Sequence, residues 1–414
     1  MLRMHIGEIY RVGNLMKNWK SMLLKDFCIF NANTYGNKDV WIYVNYLDTG
    51  NITNNKIEKV QYIDLNKEKL PSRARRKISY NSIIYSTVRP NQLHYGIIKN
   101  IPDNFLVSTG FVVIDVDEKI ADADFIYYWL SQSSITDKLQ AIAEQSTSTY
   151  PSIKVSDLAE LEIYLPPLWL QKNISGILSI IDKKITNNDK INRNLSEQAE
   201  AIFKSWFENF EPWNGKRPGN WSKGVLGDYV TIKLGGSPRP IKDYLSDVGL
   251  RWLKISDVSG LQSPYVIDIS EHINELGLKS TVHLEVGALV LSNSATPDIP
   301  KILDVDTCIH DGWLYFPKSQ LSNYFLYLFY KSIRPKLISL GNGSVFTNLK
   351  TNILKEYNFL KPDEETLYRF DDLVGPMFEM MREISRENQR LSELRDYLIQ
   401  KLMSGELDVS DLNS

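Results

Sequence analysis

The chain has 414 residues, of which 43% are hydrophobic and 24% are charged, and its formal net charge at pH 7 is −2. These values are ordinary for a globular protein with room for several domains, each with its own core. No apolar run reaches the length of a membrane span and no signal-peptide pattern is present, so we expect a cytoplasmic protein that does not enter a membrane. The cysteines, Cys28 and Cys308, lie in different halves of the sequence, which argues against a disulfide framework or a cysteine zinc cluster.

The first globular segment, about residues 25–165, combines short β-rich runs with one helical pattern. Residues 40–47, 82–88 and 105–116 are rich in β-branched and aromatic side chains and predict strands. Residues 122–131 then predict a helix, with Asp122 as its N-cap. This segment is therefore expected to be a mixed α/β domain.

A long amphipathic helix is predicted next, over residues 166–206. Its seam positions recur every three or four residues, which is the spacing of a coiled coil. The seam consists of Ile174, Leu178, Ile181, Ile185, Asn188, Asn192, Leu195, Ala199, Ile202 and Trp206. Residues 211–219 contain two prolines and two glycines and predict a linker that ends the helix.

The second half of the chain repeats this plan. Residues 214–362 predict another mixed α/β domain, and a second seam follows 196 residues after the first. That seam consists of Phe370, Val374, Met377, Met381, Ile384, Asn388, Leu391, Arg395, Leu398 and Leu402. We therefore predict an α+β protein with a pseudo-two-fold internal repeat, in which two similar domains are separated by two long helices. The predicted segments are 1–165, 166–213, 214–362 and 363–414.

The two helices are expected to pack on each other as an antiparallel coiled coil, because helices of this length need a partner for their apolar faces. If paired residues have numbers that add to 576, Asn188 lies opposite Asn388, where a buried amide pair would fix the register. The same rule gives the pairs Ile174–Leu402, Leu178–Leu398, Ile185–Leu391, Leu195–Met381 and Trp206–Phe370.

Some positions fit this register poorly. Ile181 falls opposite Arg395, and Asn192 falls opposite Ile384. Pro376, which follows a glycine, is expected to kink the second helix or to mark its start. The alternative arrangement is that each helix packs on its own globular neighbour.

Catalytic motifs are missing from the sequence. It has no phosphate-binding loop, no dinucleotide fingerprint and no adenine-methyltransferase tetrapeptide, and its five histidines are scattered without metal-ligand spacing. One group of residues, Asp103, Asp117 and Lys119, has the composition of a nuclease site that binds magnesium. Such short patterns are usually surface charge, and the second half of the chain has no equivalent.

The residues best suited to bind DNA lie in basic or glycine–proline stretches. Residues 73–77 (R-A-R-R-K) offer four cations for phosphate contacts, although a solvated loop would have the same composition. Arg89 and Asn91 follow a predicted strand, and these residue types bond guanine and adenine in the major groove. Residues 233–242 (K-L-G-G-S-P-R-P-I-K) would let the backbone approach a phosphate closely. The candidate DNA-binding residues are Arg73, Arg75, Arg76, Lys77, Arg89, Asn91, Tyr150, Lys154, Lys233, Ser237, Arg239, Lys242, Lys254, Asn293, Asn342, Ser344 and Lys350.

Residues 166–185 (P-P-L-W-L-Q-K-N-I-S-G-I-L-S-I-I-D-K-K-I) resemble the central conserved region of the specificity subunit of type I restriction–modification enzymes. Leu170 departs from the glutamate usual there. The matching positions are Pro166, Pro167, Leu168, Gln171, Ile174, Ile177, Leu178, Asp182 and Ile185. Residues 394–409 resemble the family's C-terminal conserved stretch, with Gln400 where proline is common.

The resemblance implies two target-recognition domains that each read one half of a bipartite site in double-stranded DNA, with the helices as a ruler between the halves. It also implies that methyltransferase subunits, two per chain, dock on the helices and carry S-adenosylmethionine. A separate restriction or motor subunit would supply ATP hydrolysis and the magnesium-dependent nuclease. The chain itself is then expected to bind no cofactor or metal and to be non-catalytic alone.

Two alternatives stay open. The first is a coiled-coil scaffold whose two heads bind proteins. The second is a nuclease that uses Asp103, Asp117 and Lys119.

Overall fold

The computed structural model describes residues 18–36, 38–146, 150–293, 299–340 and 351–409. The chain divides into two compact units. Unit 1 contains the described residues up to Lys183 and those from Ser392 onward, and unit 2 contains Lys184–Leu391. Each unit thus includes one globular domain and part of each long helix. In these parts of the chain no helix is long and apolar enough to cross a membrane.

Unit 1 contains twelve strands among its described residues, and the first long helix begins in this unit. The strands are β1 (Lys20–Leu23), β2 (Cys28–Phe30), β3 (Tyr43–Leu47), β4 (Ile52–Thr53), β5 (Lys56–Ile57), β6 (Gln61–Asp64), β7 (Ala74–Lys77), β8 (Ile83–Ser86), β9 (Tyr95–Ile97), β10 (Phe105–Ser108), β11 (Phe111–Val116) and β12 (Glu162–Leu165). The helices are α1 (Ala123–Leu130), α2 (Ser133–Glu144), α3 (Val155–Ala159) and α4 (Leu168–Phe207).

Two four-stranded sheets form the body of the first domain, with the orders β6-β3-β10-β7 and β2-β11-β8-β9. Strands β3 and β10 are parallel, and the other pairs in both sheets are antiparallel. The three predicted β-rich runs contain strands, and the run 105–116 is divided between β10 and β11 by a turn at Thr109 and Gly110. The helix prediction is also confirmed, because the Asp122 carboxylate accepts the Phe125 N–H at 2.9 Å and caps α1.

Among its described residues unit 2 also contains twelve strands, and the second long helix begins in it. The strands are β13 (Ser222–Val225), β14 (Val230–Leu234), β15 (Leu245–Ser246), β16 (Leu250–Leu253), β17 (Tyr265–Val266), β18 (His272–Ile273), β19 (Val282–Leu284), β20 (Leu289–Ser292), β21 (Pro300–Leu303), β22 (Thr307–Ile309), β23 (Trp313–Ser319) and β24 (Asn358–Lys361). The helices are α5 (Leu226–Tyr229), α6 (Ile255–Val258), α7 (Asn323–Leu340), α8 (Thr351–Lys355) and α9 (Glu364–Met403). Two five-stranded sheets, β14-β23-β20-β21-β17 and β15-β18-β16-β22-β19, form its body.

The internal repeat is visible in the pairing between the first and last strands of each domain. In unit 1 the first strand, β1, pairs antiparallel with β12, the strand just before the long helix α4. In unit 2 β13 pairs in the same way with β24, just before α9. The turn after each first strand is also alike, since Asp26 accepts the Leu23 N–H at 2.9 Å and Asp228 accepts the Val225 N–H at 3.0 Å.

In unit 1 the start of α4 packs against the end of α9. Ile174 and Leu178 share one buried cluster with Leu402, and Leu398 packs against that cluster, as the antiparallel register predicts. The same cluster contains Phe125 of α1. The helices of unit 1 therefore pack on each other and on the globular domain, so the two predicted arrangements occur together.

In unit 2 the rest of α4 packs against the first part of α9. The Asn188 amide donates to the Asn388 side-chain oxygen at 2.8 Å, and the Trp206 and Phe370 rings lie 5.9 Å apart. Met381 is buried in a cluster against which Leu195 and Ile202 pack. Ile185 is also buried, and Leu391 is half-buried.

The poorly matched positions form polar contacts instead of the predicted pairs. In unit 1 the Arg395 guanidinium bonds Asp182 at 3.0 Å, beside the buried Ile181. In unit 2 the Asn192 amide donates to the Ser385 hydroxyl at 3.2 Å rather than facing Ile384. A polar side chain in each seam thus has a polar partner one position away from the predicted one.

The expectation that Pro376 marks the start of the second helix was wrong, because α9 begins at Glu364 and continues through this proline. Proline removes one helical hydrogen bond. However, Phe370, Val374 and Phe378 on both sides of it are fully buried. Their packing against the second domain keeps the segment helical.

Candidate nucleic-acid interface

Residues 74–77 of the basic stretch form β7 at the edge of a sheet, and Arg73 lies just before this strand. The pairing of β7 with β10 shifts register at Arg75, and Ala74 is fully buried. Lys77 is held by the Asp39 carboxylate and lies 5.4 Å from the Trp41 ring centroid, while Arg73 is exposed. Arg75 and Arg76 are half-buried. The four cations therefore differ in exposure, and Arg73 is the one most accessible to a ligand.

The turn at Thr109 and Gly110 brings two of the predicted cationic segments near each other. The Thr109 N–H donates to the Arg73 carbonyl at 2.8 Å. On the other side of the turn, the Gly110 carbonyl accepts two hydrogen bonds from Thr87. The backbone N–H of Thr87 donates at 2.9 Å and the Thr87 hydroxyl donates at 3.0 Å. Arg73 and the loop that carries Arg89 thus flank the same turn.

Arg89 and Tyr150 form the core of a surface cluster in the first domain. The Arg89 guanidinium lies 5.3 Å from the Tyr150 ring centroid, and the backbone N–H of Arg89 donates to the Pro151 carbonyl at 3.0 Å. Arg89 has φ of 48°, a left-handed conformation that is uncommon outside glycine and is often found at functional sites. Tyr150 is 57% exposed, and Lys154 is exposed on the adjoining segment. We call Arg73, Arg89, Tyr150 and Lys154 the Arg89 surface.

The glycine–proline loop of the second domain is held by one carboxylate. The Ser237 hydroxyl donates to Asp311 at 2.8 Å, and the Arg239 guanidinium donates to the same carboxylate at 2.7 Å. Burial alone would raise the pKa of Asp311, but these hydrogen bonds outweigh burial and hold the pKa below its usual value. A Cβ on Gly235 would lie 2.2 Å from the His310 carbonyl oxygen, so only glycine fits there. Arg239 remains largely exposed at its tip.

The remaining candidates of the second domain differ in accessibility. Lys233 and Lys242 are exposed, whereas Lys254 bonds the Glu271 carboxylate at 2.6 Å. Asn293 is only 7% exposed, so its side chain is not available to DNA in this conformation and the expectation for it is corrected. Asn293 follows directly after β20, which is an interior strand of its sheet. Asn342, Ser344 and Lys350 lie outside the described residues.

Asn91 is exposed beside the Arg89 surface, with its N–H bonded to Gln140 at 3.3 Å. Its side chain lines a cavity of about 490 Å³ whose charged groups include Asp182 and Arg395.

The nuclease alternative finds no assembled site in the described part of the chain. The Asp117 carboxylate accepts the Lys119 N–H at 3.1 Å and so stabilises its own turn. The Asp103 carbonyl accepts the Asn45 amide at 2.7 Å. Within the ranges given above, no group of three or more His, Cys, Asp or Glu side chains could hold a metal ion.

Sequence reasoning missed two charged clusters that join the domains to the helices. In unit 1 the Tyr128 hydroxyl donates to Asp182 at 2.7 Å, and Arg395 donates to the same carboxylate. Burial and the Asp182 charge raise the pKa of Tyr128, which keeps its hydroxyl protonated as a donor. In unit 2 the Asp304 carboxylate bonds Arg382. Single charged residues in loops and on helix faces carry no periodic signal, so the sequence does not reveal these pairs.

Comparison with known proteins agrees with this architecture. The family model described as the type I restriction modification DNA specificity domain matches residues 16–197 and 218–367. The HindI specificity subunit of Haemophilus influenzae, a type I restriction enzyme subunit, is 25% identical over 470 residues, covering 95% of this chain and 100% of that protein. The MjaIX specificity subunit of Methanocaldococcus jannaschii is 25% identical over 312 residues, covering 70% of each chain.

The fold is shared with a solved structure. The S subunit of a type I restriction–modification system from M. genitalium has a TM-score of 0.54 and 16% identity, covering 93% of this chain and 96% of that one. The first match spans one globular domain and most of α4, and the second spans the other domain and only the first residues of α9. The chain therefore belongs to the family of type I restriction–modification specificity subunits, and its role is DNA sequence recognition through two target-recognition domains.

Proposed function

We propose that each target-recognition domain reads one half of a bipartite site in double-stranded DNA and that α4 and α9 fix the gap between the halves. The observation that carries this proposal is the buried Asn188–Asn388 pair, because it gives two long helices a single register. A spacer needs such a register, since a slip of one turn would move a domain by about 5 Å.

In the first domain, the Arg89 surface supplies the DNA contacts. Its cations neutralise phosphates, and the Arg89 guanidinium is the group that pairs bidentately with guanine. Stacking on Tyr150 limits the motion of this guanidinium, so less conformational entropy is lost on binding.

In the second domain, Lys233, Arg239 and Lys242 supply phosphate contacts around the glycine–proline loop. The Asp311 carboxylate orients Arg239 and Ser237 before DNA arrives. A phosphate would bind Arg239 while Arg239 stays bonded to this carboxylate. The arrangement favours a directional hydrogen bond to the phosphate over non-directional charge attraction.

The proposal for the partner subunits rests on the family to which the chain belongs. We propose that two methyltransferase subunits dock on the helices and bring S-adenosylmethionine, and that a restriction subunit brings ATP hydrolysis and magnesium chemistry. The chain alone is non-catalytic in this scheme. In unit 1, Trp169 and Ile180 of α4 and Leu394 and Tyr397 of α9 are 51%, 66%, 47% and 57% exposed. Exposed apolar side chains mark a protein interface when they form a contiguous patch.

A domain exchange tests the proposal. Residues 214–362 are replaced by the corresponding domain of a related specificity subunit, and the methylated sequence is determined with the methyltransferase present. One half-site should change while the other half-site stays the same. The reciprocal exchange of residues 25–165 is the matched control and should change the other half. Simultaneous change of both halves would refute modular recognition, and methylation or binding without sequence preference would favour the scaffold alternative.

A further inference from the structure

Asp304, just after β21, is bonded to two arginines of α9. Its carboxylate accepts the Arg382 Nε–H at 2.8 Å and two N–H groups of Arg386 at 2.6 and 3.0 Å. The Asp304 side chain is 2% exposed, whereas those of Arg382 and Arg386 are 27% and 35% exposed. The arginines are one helical turn apart and lie on the same side of α9. Three charge-assisted hydrogen bonds thus join one edge of the second domain to the helix.

A second contact joins the same domain to the same turn of α9. The hydroxyls of Ser263 and Ser385 lie 2.8 Å apart and share a hydrogen bond, and Ser385 also receives the Asn192 amide of α4. Behind this contact, the buried Lys301 ammonium donates to the carbonyls of Leu261 and Ser263. Lys301 therefore holds the loop that presents Ser263 in one conformation.

A third contact lies farther along α9 toward its start. The Tyr324 hydroxyl donates to Glu379 at 2.7 Å, and the Ser322 hydroxyl donates to Asp371 at 2.6 Å. Glu379 is bonded to Arg382, but Asp371 lies 11 residues before Arg382, about 16 Å along the helix axis. Two separated attachments fix the tilt of a rigid body as well as its position, which a single attachment cannot do.

The Asp304 cluster is better suited to fixing geometry than to stabilising the fold. A buried ion pair contributes little net stability compared with apolar side chains of similar volume, because desolvation of the charges offsets their attraction. Its directional hydrogen bonds nevertheless permit only a narrow range of orientations. The apolar contacts of α9 with the domain, such as those of Phe370 and Phe378, can hold the two together without Asp304.

We propose that Asp304 is a positioning residue that fixes the orientation of the second target-recognition domain on α9 and thereby restricts the gap at which the second half-site is accepted. This inference rests on the bipartite recognition proposed above. A change of one base pair in the gap moves a half-site by about 3.4 Å and rotates it by roughly 35° about the DNA axis. A domain with a fixed tilt cannot bind a half-site displaced in this way, whereas a domain that can change its tilt on α9 can bind it.

The test measures methylation by the complex of this chain with its methyltransferase. The substrates carry the recognised half-sites with the native gap or with gaps shortened or lengthened by one base pair. The variants are Asp304→Asn, which keeps the shape but removes the charge, and Asp304→Glu, which keeps the charge. The matched control is Asp268→Asn, because Asp268 is exposed and lies 4.0 Å from Arg251 in the same domain.

We expect Asp304→Asn to lower the preference for the native gap about tenfold, equivalent to about 1.4 kcal/mol, with both half-site sequences unchanged. Asp304→Glu should restore part of that preference, and the control should keep all of it. An unchanged preference in a folded Asp304→Asn variant overturns the inference. If Asp304→Asn does not fold, the same gap preference is measured for Arg382→Gln, which leaves Arg386 in place. The same decrease is then expected, and an unchanged preference overturns the inference. A wild-type complex that accepts every gap would instead refute the proposed function.

Discussion

Asn188 of α4 and Asn388 of α9 form a buried amide hydrogen bond of 2.8 Å between the two long helices of unit 2. Asn188 is 1% exposed and also donates to Glu387 at 2.7 Å, while the Asn388 amide donates to Asp189 at 2.9 Å. All four polar side chains thus take part in one network. A helix slipped by one turn would bury these amides without partners, so the network selects the observed register.

The first prediction concerns this amide pair. Asn188→Ala should lower the free energy of unfolding by about 1–3 kcal/mol, because it leaves buried groups without a partner. In a double-mutant cycle with Asn388→Ala, the two substitutions should show a coupling energy of about 0.5–1.5 kcal/mol, measured by denaturant unfolding. Ser196→Ala, a polar change on the same helix outside the network, is the control. Strictly additive effects would mean that the amides do not set the register.

The second prediction concerns the Arg89 surface. Arg89→Ala should weaken DNA binding by the complex and reduce the slope of log affinity against log salt by about one, because one cation no longer displaces a counterion. If Arg89 also reads a base, the loss should exceed that of Lys154→Ala and should relax one half-site alone. Lys119→Ala removes an exposed cation of the same domain and is the control. Equal losses for Arg89→Ala and Lys119→Ala would show that Arg89 acts only through general charge.

The third prediction concerns the docking of partner subunits. Ile180→Asp should weaken binding of the methyltransferase subunit at least about tenfold, since it places a charge in an apolar contact. Circular dichroism should stay unchanged, because Ile180 is 66% exposed. Val248→Asp, at a position 75% exposed in the second domain, serves as the control. Wild-type affinity in the Ile180→Asp variant, measured by calorimetry, would exclude this side of the helix as the docking surface.

The fourth prediction concerns pH. Burial, with a smaller effect of the Lys331 charge, lowers the pKa of Lys301 to about 7, whereas in the unfolded chain it is near 10.5. Between these values the unfolded state binds more protons than the folded state, so stability should rise with pH. The slope from this group is at most about 1.4 kcal/mol per pH unit above pH 7. Lys301→Met should remove that part of the slope, as measured by denaturant unfolding at several pH values. An identical slope in the variant would mean that Lys301 remains charged in the folded state.

The long helices and their pairing could be predicted because apolar periodicity and a repeat of fixed length are properties of the sequence. The buried amide pair followed from the same register. The prediction that Pro376 marks the helix start was wrong, since local propensity does not include the packing of Phe370 and Phe378 around this proline.

The candidate DNA surface was only partly predictable. Arg89 and Tyr150 do lie together, but the cations of 73–77 differ in exposure, and Lys77 is paired with Asp39. Asn293 follows an interior strand and is only 7% exposed. The Asp304 cluster had no sequence signal, because its members meet only after two distant segments fold together.

The most direct test of bipartite recognition is methylome sequencing of cells that carry this chain together with its methyltransferase. The account predicts one methylated motif made of two specified half-sites separated by an unspecified gap of constant length, which is absent from cells without the chain. A continuous methylated motif, or half-sites methylated at many different gaps, would contradict it.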